Sequence, residues 1–299
     1  MVLMFAMSAV LLAGGVEGFA RGAEKLGVPP RFRVLLTGLS FALPALLVAF
    51  VAGFGSYPKL AVAVLLGNCI ANVGFVLSLS TLARPFEAKN PQLRPTIPMV
   101  IVLTLLVWFL ARDNELNRLD AGVLLAAGIG CAVVLVGGPP APRPASQPFT
   151  GSVLALAGLG WAAGAAVLLV RACSDQDGLI PASGIGGTAF ALAVLGPALA
   201  LRGVAAGVVA ARTGDGDTAL AGVVCGSIVT LFAGFGILAI AKPLVVIETV
   251  QMNVLPAAAI APLFLIAVRM NNMTTRRWDA VLQLAAYAGF VAWMVSVRS

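Results

Sequence analysis

Apolar residues run in long blocks along this chain, separated by short polar stretches. Ten blocks reach spanning length, at 2–20, 32–54, 59–82, 96–112, 118–138, 150–172, 184–212, 216–241, 253–270 and 277–297. A helix needs roughly 20 apolar residues to cross a hydrocarbon core of ~30 Å, so the pattern predicts ten transmembrane helices. Between the fifth and sixth, Gly137-Gly138-Pro139-Pro140-Ala141-Pro142-Arg143-Pro144 is Pro-rich and polar and reads as a linker. The expected organisation is a first five-helix repeat (1–138), a linker (139–149) and a second five-helix repeat (150–299).

The polar punctuation occurs twice. Ala83-Arg84-Pro85 leads through an apolar run to Arg118-Leu119-Asp120, and Ala241-Lys242-Pro243 leads to Arg277-Trp278-Asp279. The offsets are 241 − 83 = 158 and 277 − 118 = 159 residues, about half the chain. Five spans per half is an odd number, so the two repeats run in opposite directions through the membrane, an arrangement typical of secondary transporters. The fold class expected is all-α and integral to the membrane, with ten helices in two inverted repeats.

Composition agrees. The 299 residues are 60% hydrophobic and 10% charged, with a mean hydropathy of +1.02. A soluble domain could not hide that much apolar surface. The 33 glycines suit close helix packing in lipid. The net charge of +7 is spread singly over loops and reads as a topology signal, not a nucleic-acid surface. One side holds Arg21, Lys25, Arg31, Arg33, Arg84, Lys89, Arg94, Arg143, Arg212, Arg269, Arg276 and Arg277. The other holds Lys59, Arg112, Arg118, Arg171, Lys242 and Arg298, so the first side is expected to be cytoplasmic and both termini to lie opposite it. The first run lacks a basic leader and a cleavage signal and reads as a retained span in a bacterial-type inner or plasma membrane. With no His, and with Cys69, Cys131, Cys173 and Cys225 scattered in apolar runs, neither a metal centre nor a cofactor is expected. No nucleophile has a base beside it, so the chain does not read as an enzyme.

Several motifs resemble those of the sodium/calcium exchanger superfamily of cation/calcium antiporters. Gly15-Val16-Glu17 through Gly27-Val28 is similar to the family's first-helix pattern. Ser40-Phe41-Ala42-Leu43-Pro44-Ala45 stands where the family has G-T-S-L-P-E, and Gly67-Asn68-Cys69-Ile70-Ala71-Asn72 where it has G-S-N-I-F-N. Cys225-Gly226-Ser227-Ile228-Val229-Thr230 takes the second copy of that motif. Both R-[LW]-D landmarks resemble the family's fifth-helix opening. A ten-span drug/metabolite transporter fold shares the length but fits these landmarks less well. The resemblance implies an ion site at the midplane between interrupted helices 2, 3, 7 and 8, with one glutamate per repeat.

Those glutamates are absent. The first position is Ala45; the second is Ala198 if Pro197 is the matching proline, or Arg202 on a nearly gap-free alignment. Calcium takes six to eight oxygens, usually with carboxylates among them. Asn68, Asn72, Ser227 and Thr230 supply only neutral groups, and Phe41 and Ala42 replace hydroxyls. Arg202 deep in a span is costly and invites a role, as a tethered substitute for the ion, as an anion receptor, or as a snorkelling side chain at an interface. Glu17 is the surviving membrane acid, with Arg202 or Arg21 as its expected partner. Two functions follow. One is a secondary transporter with altered or lost cation selectivity, for a monovalent cation or an anion. The other is a transport-inactive structural or regulatory subunit that meets other membrane proteins in the bilayer.

Overall fold

Each expected apolar block is helical in the structure, a computed structural model that describes residues 1–136, 147–174, 178–248 and 250–296. Residues 139–146 of the expected linker, with the flanking glycines, lie outside the described residues. The spans are α1 (Val2–Lys25), α2 (Pro30–Phe54), α3 (Pro58–Ala83), α4 (Thr96–Leu110), α5 (Arg118–Val136), α6 (Pro148–Ser174), α7 (Gly187–Thr213), α8 (Gly216–Ala241), α9 (Val250–Met270) and α10 (Arg277–Ser296). α1 continues past the expected limit at residue 20, which puts Arg21 on the same helix as Glu17, one turn on. A separate short helix, Leu179–Ser183, precedes α7 and ends at Gly184 with φ +66°, a left-handed stop that glycine adopts without strain.

The two halves share one irregularity as well as their helix order. α3 opens into a π-helical turn at Asn72–Leu77, and α8 does so at Thr230–Phe235, 158 residues on. The loops interlock by the same rule. Glu87, after α3, bridges to Thr274, before α10; in the other half β2 (Leu244–Val245), after α8, pairs antiparallel with β1 (Glu115–Leu116), before α5. Ala88 N–H donates to the Met273 carbonyl at 3.0 Å, and Val246 N–H to the Asn114 carbonyl at 2.8 Å. Asn114 and Met273 both hold positive φ, 65° and 63°. Each half therefore reaches across to close the other, on opposite faces of the membrane. Asp217 accepts the backbone N–H groups of Lys89 and Asn90 at 2.6 and 2.8 Å and adds to the tie.

The tightest helix pair is α1 with α6. Gly15 lies against Gly158 and Ala162, and Gly22 against Gly151 and Ala155, so the two helices run antiparallel with their backbones in contact. A Cβ on Gly15 would stand 2.6 Å from the Ala162 nitrogen, and one on Gly151 2.8 Å from the Leu26 nitrogen. Glycines seven apart on both helices make one flat seam, which in lipid gains from dispersion and not from exclusion of water. Replacing Gly158 by Leu should cost about 1–3 kcal/mol through overpacking and lower the melting temperature in detergent. Gly160→Leu, at a position with nothing within 4 Å, should leave it unchanged.

Candidate functional site

The centre of the molecule is built by α2, α3, α7 and α8. α3 and α8 are its most enclosed helices. Contacts fix the register of α7. Gly38 of α2 abuts Cys225 of α8, and Gly196 of α7 abuts Gly67 of α3. Both pairs obey the 158-residue offset, so Arg202 stands opposite Pro44 and Gly203 opposite Ala45. Neither sequence alignment follows that offset. Pro197 lies opposite Leu39, five residues from the place that would match Pro44, because no extra helical turn separates α7 from α8. Ala198 is accordingly only half buried, whereas Gly203 is buried beneath the Phe41 ring.

Pro44 has no N–H, so in the continuous helix α2 the carbonyl of Ser40, four residues back, has no helical donor. Arg202 supplies one: its Nη1 donates to that carbonyl at 2.9 Å. Its Nη2 meets Glu17 Oε2 at 3.2 Å, and Glu17 Oε1 accepts from Arg21 Nε at 2.8 Å. The Arg202 side chain is only 9% exposed, against 42% for Glu17 and 69% for Arg21. The charge is thus shared outward from buried arginine to half-buried carboxylate to exposed arginine. Arg202 lies eleven residues from the end of α7, or about 16 Å of helix, close to the middle of a ~30 Å core. One donor, its Nε, is buried without an acceptor. Pro197 poses the same problem in the other half. The preceding turn of α7 is π-helical (Ala191–Leu195), so the carbonyl it orphans is Leu192's, and Tyr287 of α10 points its hydroxyl there at a long 3.5 Å.

The remaining space is filled by carbon. The Phe41 ring packs on Gly203 and Gly222, and its Cβ on Gly226; a Cβ at Gly203 would lie 3.1 Å from the ring, and one at Gly226 3.0 Å from the Phe41 Cβ. Ala42 and Ala45 are fully buried beside it. Asn68 Nδ2 donates to Thr230 Oγ1 at 3.1 Å, Thr230 donates to the Gly226 carbonyl at 2.8 Å, and Ser227 donates to Val223 at 2.9 Å. Asn68 Oδ1 and Asn72 Nδ2 are buried and unpartnered. The structure brings together Phe41, Pro44, Ala45, Arg202, Gly226 and Thr230, with Asn68 and Asn72 on the facing helix. It leaves Ala198 at the side. Among the described residues no cluster of three or more His, Cys, Asp or Glu is present. Sequence reasoning missed Gly203 and the Ser40 carbonyl. The 158-residue offset pointed to the first, and the rule that proline orphans a carbonyl four residues back pointed to the second.

The Ser40 carbonyl gives a sharp test. Arg202→Met should destabilise the protein by about 1–3 kcal/mol, since it leaves that buried carbonyl without a donor while Glu17 keeps Arg21. Adding Pro44→Ala should recover part of the loss, because the alanine N–H returns to Ser40. Unfolding of the two variants in the same detergent measures the difference; no recovery would show that the carbonyl is not what Arg202 serves.

Comparison with known proteins places this arrangement. The putative antiporter CaxA of Alkalimonas amylolytica is 22% identical over 94% of both chains. The inner membrane protein YrbG of Escherichia coli is 29% identical over 100 residues, a match spanning about a third of each protein (33% of this chain and 31% of YrbG). A structure of the sodium-calcium exchanger NCX_Mj soaked with Na+ and Sr2+ overlays with a TM-score of 0.72, covering 97% of both chains at 20% identity. The family described as sodium/calcium exchanger protein matches residues 1–137 and 149–296. With that match over nearly the whole length, and with the paired π turns and interlocked loops of the two halves, the chain belongs to the sodium/calcium exchanger protein family.

Proposed function

We propose that this protein is an exchanger-family membrane protein that does not exchange calcium for sodium, and that the Arg202 guanidinium takes the place of a carried cation. The observation that carries the reading is the centre itself: a buried arginine held by Ser40 and Glu17, with the Phe41 side chain packed against Gly203, Gly222 and Gly226. A divalent cation gives up its water only to strong oxygen donors, and here Ala45 and Gly203 stand at the two symmetry-related positions while an arginine charge lies beside them. The ion-site equivalents are Phe41, Ala42, Pro44, Ala45, Asn68, Asn72, Arg202, Gly226, Ser227 and Thr230, with Gly203 replacing Ala198 and the helix break of Pro197 lying off centre. On this reading the two halves are 1–138 and 150–299, the Arg-rich face is cytoplasmic, and both termini face away from it.

A monovalent-ion carrier is the second reading. It is favoured by the buried, unpartnered Asn68 Oδ1, an amide oxygen in the centre free to face a cation. A non-transporting subunit of a membrane complex is the same scaffold with its cycle stopped.

Flux measurements separate these. Proteoliposomes loaded with sodium should show calcium-45 uptake no greater than empty liposomes. Sodium-22 exchange above background would support the monovalent carrier. Calcium flux at the rate of a competent exchanger would overturn the proposal. Ala45→Glu with Gly203→Glu should still fail to bind calcium while Phe41 remains, because the new side chain at Gly203 meets the ring; adding Phe41→Ser should give the first measurable calcium binding.

A further inference from the structure

A cavity lies away from the centre, between α3, α9 and α10. It holds about 220 Å³ and is lined by carbon from Ile70, Gly74, Ala257, Phe264 and Phe290, with two polar residues, Gln283 and Tyr287. The Tyr287 hydroxyl is turned to Leu192. Gln283 differs. Ser78 Oγ donates to its Oε1 at 3.3 Å, which orients the amide, and its Nε2 has no partner among the described residues. The side chain is 97% buried (3% exposed) in a wall that faces lipid, because Ala286 next to it is exposed and Phe290 is half-buried. In a bilayer no water is at hand to take those N–H groups, so an amide left bare there is unfavourable.

The order of residues along the cavity shows what would relieve it. Gln283 lies six residues inside α10 from Arg277, about 9 Å below the Arg-rich membrane face. From there the cavity continues toward the midplane between Phe290, Ala257 and Ile70, and the one further polar side chain among its lining residues, Tyr287, turns its hydroxyl to Leu192. One donor at the outer end and hydrocarbon below it match an acyl chain with its carbonyl uppermost. The pseudo-symmetric half fills the corresponding place differently. There Phe232 of α8 occupies the position of Gly74 and packs on Gly128 of α5, and Leu125 stands near the place of Gln283.

We propose that this cavity binds the acyl chain of a membrane lipid, with the ester carbonyl of that chain accepting from Gln283 Nε2. The site is independent of the central one and remains whether or not the protein transports an ion.

Full-length protein in nanodiscs would be labelled with a phospholipid carrying a photoactivatable diazirine in its acyl chain, and the adducts mapped by mass spectrometry. Adducts should concentrate on α9 and α10 residues lining the cavity. The ether-linked analogue, which has no carbonyl, should label them about three- to fivefold less, the value of one hydrogen bond. Gln283→Leu should abolish that ester preference, and Ala261→Phe, which fills the cavity, should abolish the labelling while leaving adducts elsewhere. Adducts spread evenly over all lipid-facing helices would overturn the proposal. So would equal labelling by ester and ether lipids, or an ester preference that survives Gln283→Leu.

Discussion

A backbone carbonyl inside a bilayer must find a donor, and Ser40 is the carbonyl on which this molecule's centre depends. Pro44 removes its helical partner, and α2 nevertheless runs unbroken through that point. The carbonyl is held by an arginine from the other half of the chain, at the repeat position of the proline itself. One half thus creates the vacancy and the other fills it. Insertion scales put an arginine at the centre of a helix at ~2.5–3.5 kcal/mol, and the two hydrogen bonds to Ser40 and Glu17 offset that cost. Glu17 then draws in Arg21 and brings the charge within reach of the interface.

The same requirement shapes the rest of the core. At three places where a helix departs from regular geometry, a group from elsewhere comes to meet it: Tyr287 at Leu192, Arg84 Nη1 at the Arg212 carbonyl that ends α7, Gln251 at the Arg112 carbonyl after α4. Packing follows symmetry but swaps sizes. Tyr287 fills against Gly74 in one half, and Phe232 against Gly128 in the other, so the large residue has moved to the opposite helix of the pair. A close-packed interior accepts such an exchange because total volume is kept.

The helices and the inverted repeat were legible in the sequence, since hydropathy and the recurring Ala-Arg/Lys-Pro and Arg-x-Asp landmarks do not depend on tertiary contacts. The helix ends were less so: α1 runs on to Lys25 because its last turns pack on α6, which no local signal announces. The missing carboxylate at Ala45 was legible for the same reason as the repeat. Its partner was not. Pro197 is a strong local signal and drew the alignment to itself, whereas the register of α7 is decided by Gly196 against Gly67 and by Gly203 against Phe41, contacts between residues far apart in sequence. The pairing of Glu17 with both Arg202 and Arg21 was open in the sequence because one carboxylate has two oxygens, and the structure uses both.

The asymmetry of the centre bears on motion. In a carrier built from inverted repeats, the inward-open and outward-open states are related by exchanging the conformations of the halves. That exchange is nearly balanced only if each half offers the other similar contacts. Here the first half presents a proline and a bare carbonyl, and the second presents an arginine that reaches α1 as well as α2. Contacts that exist in one arrangement and have no counterpart in its mirror bias the equilibrium, and each 1.4 kcal/mol of bias lowers the population of the opposed state tenfold. A carried ion relieves such a bias by binding and leaving. A side chain cannot leave, so the clasp of Arg202 on Ser40 and Glu17 favours a single conformation for as long as the chain is intact.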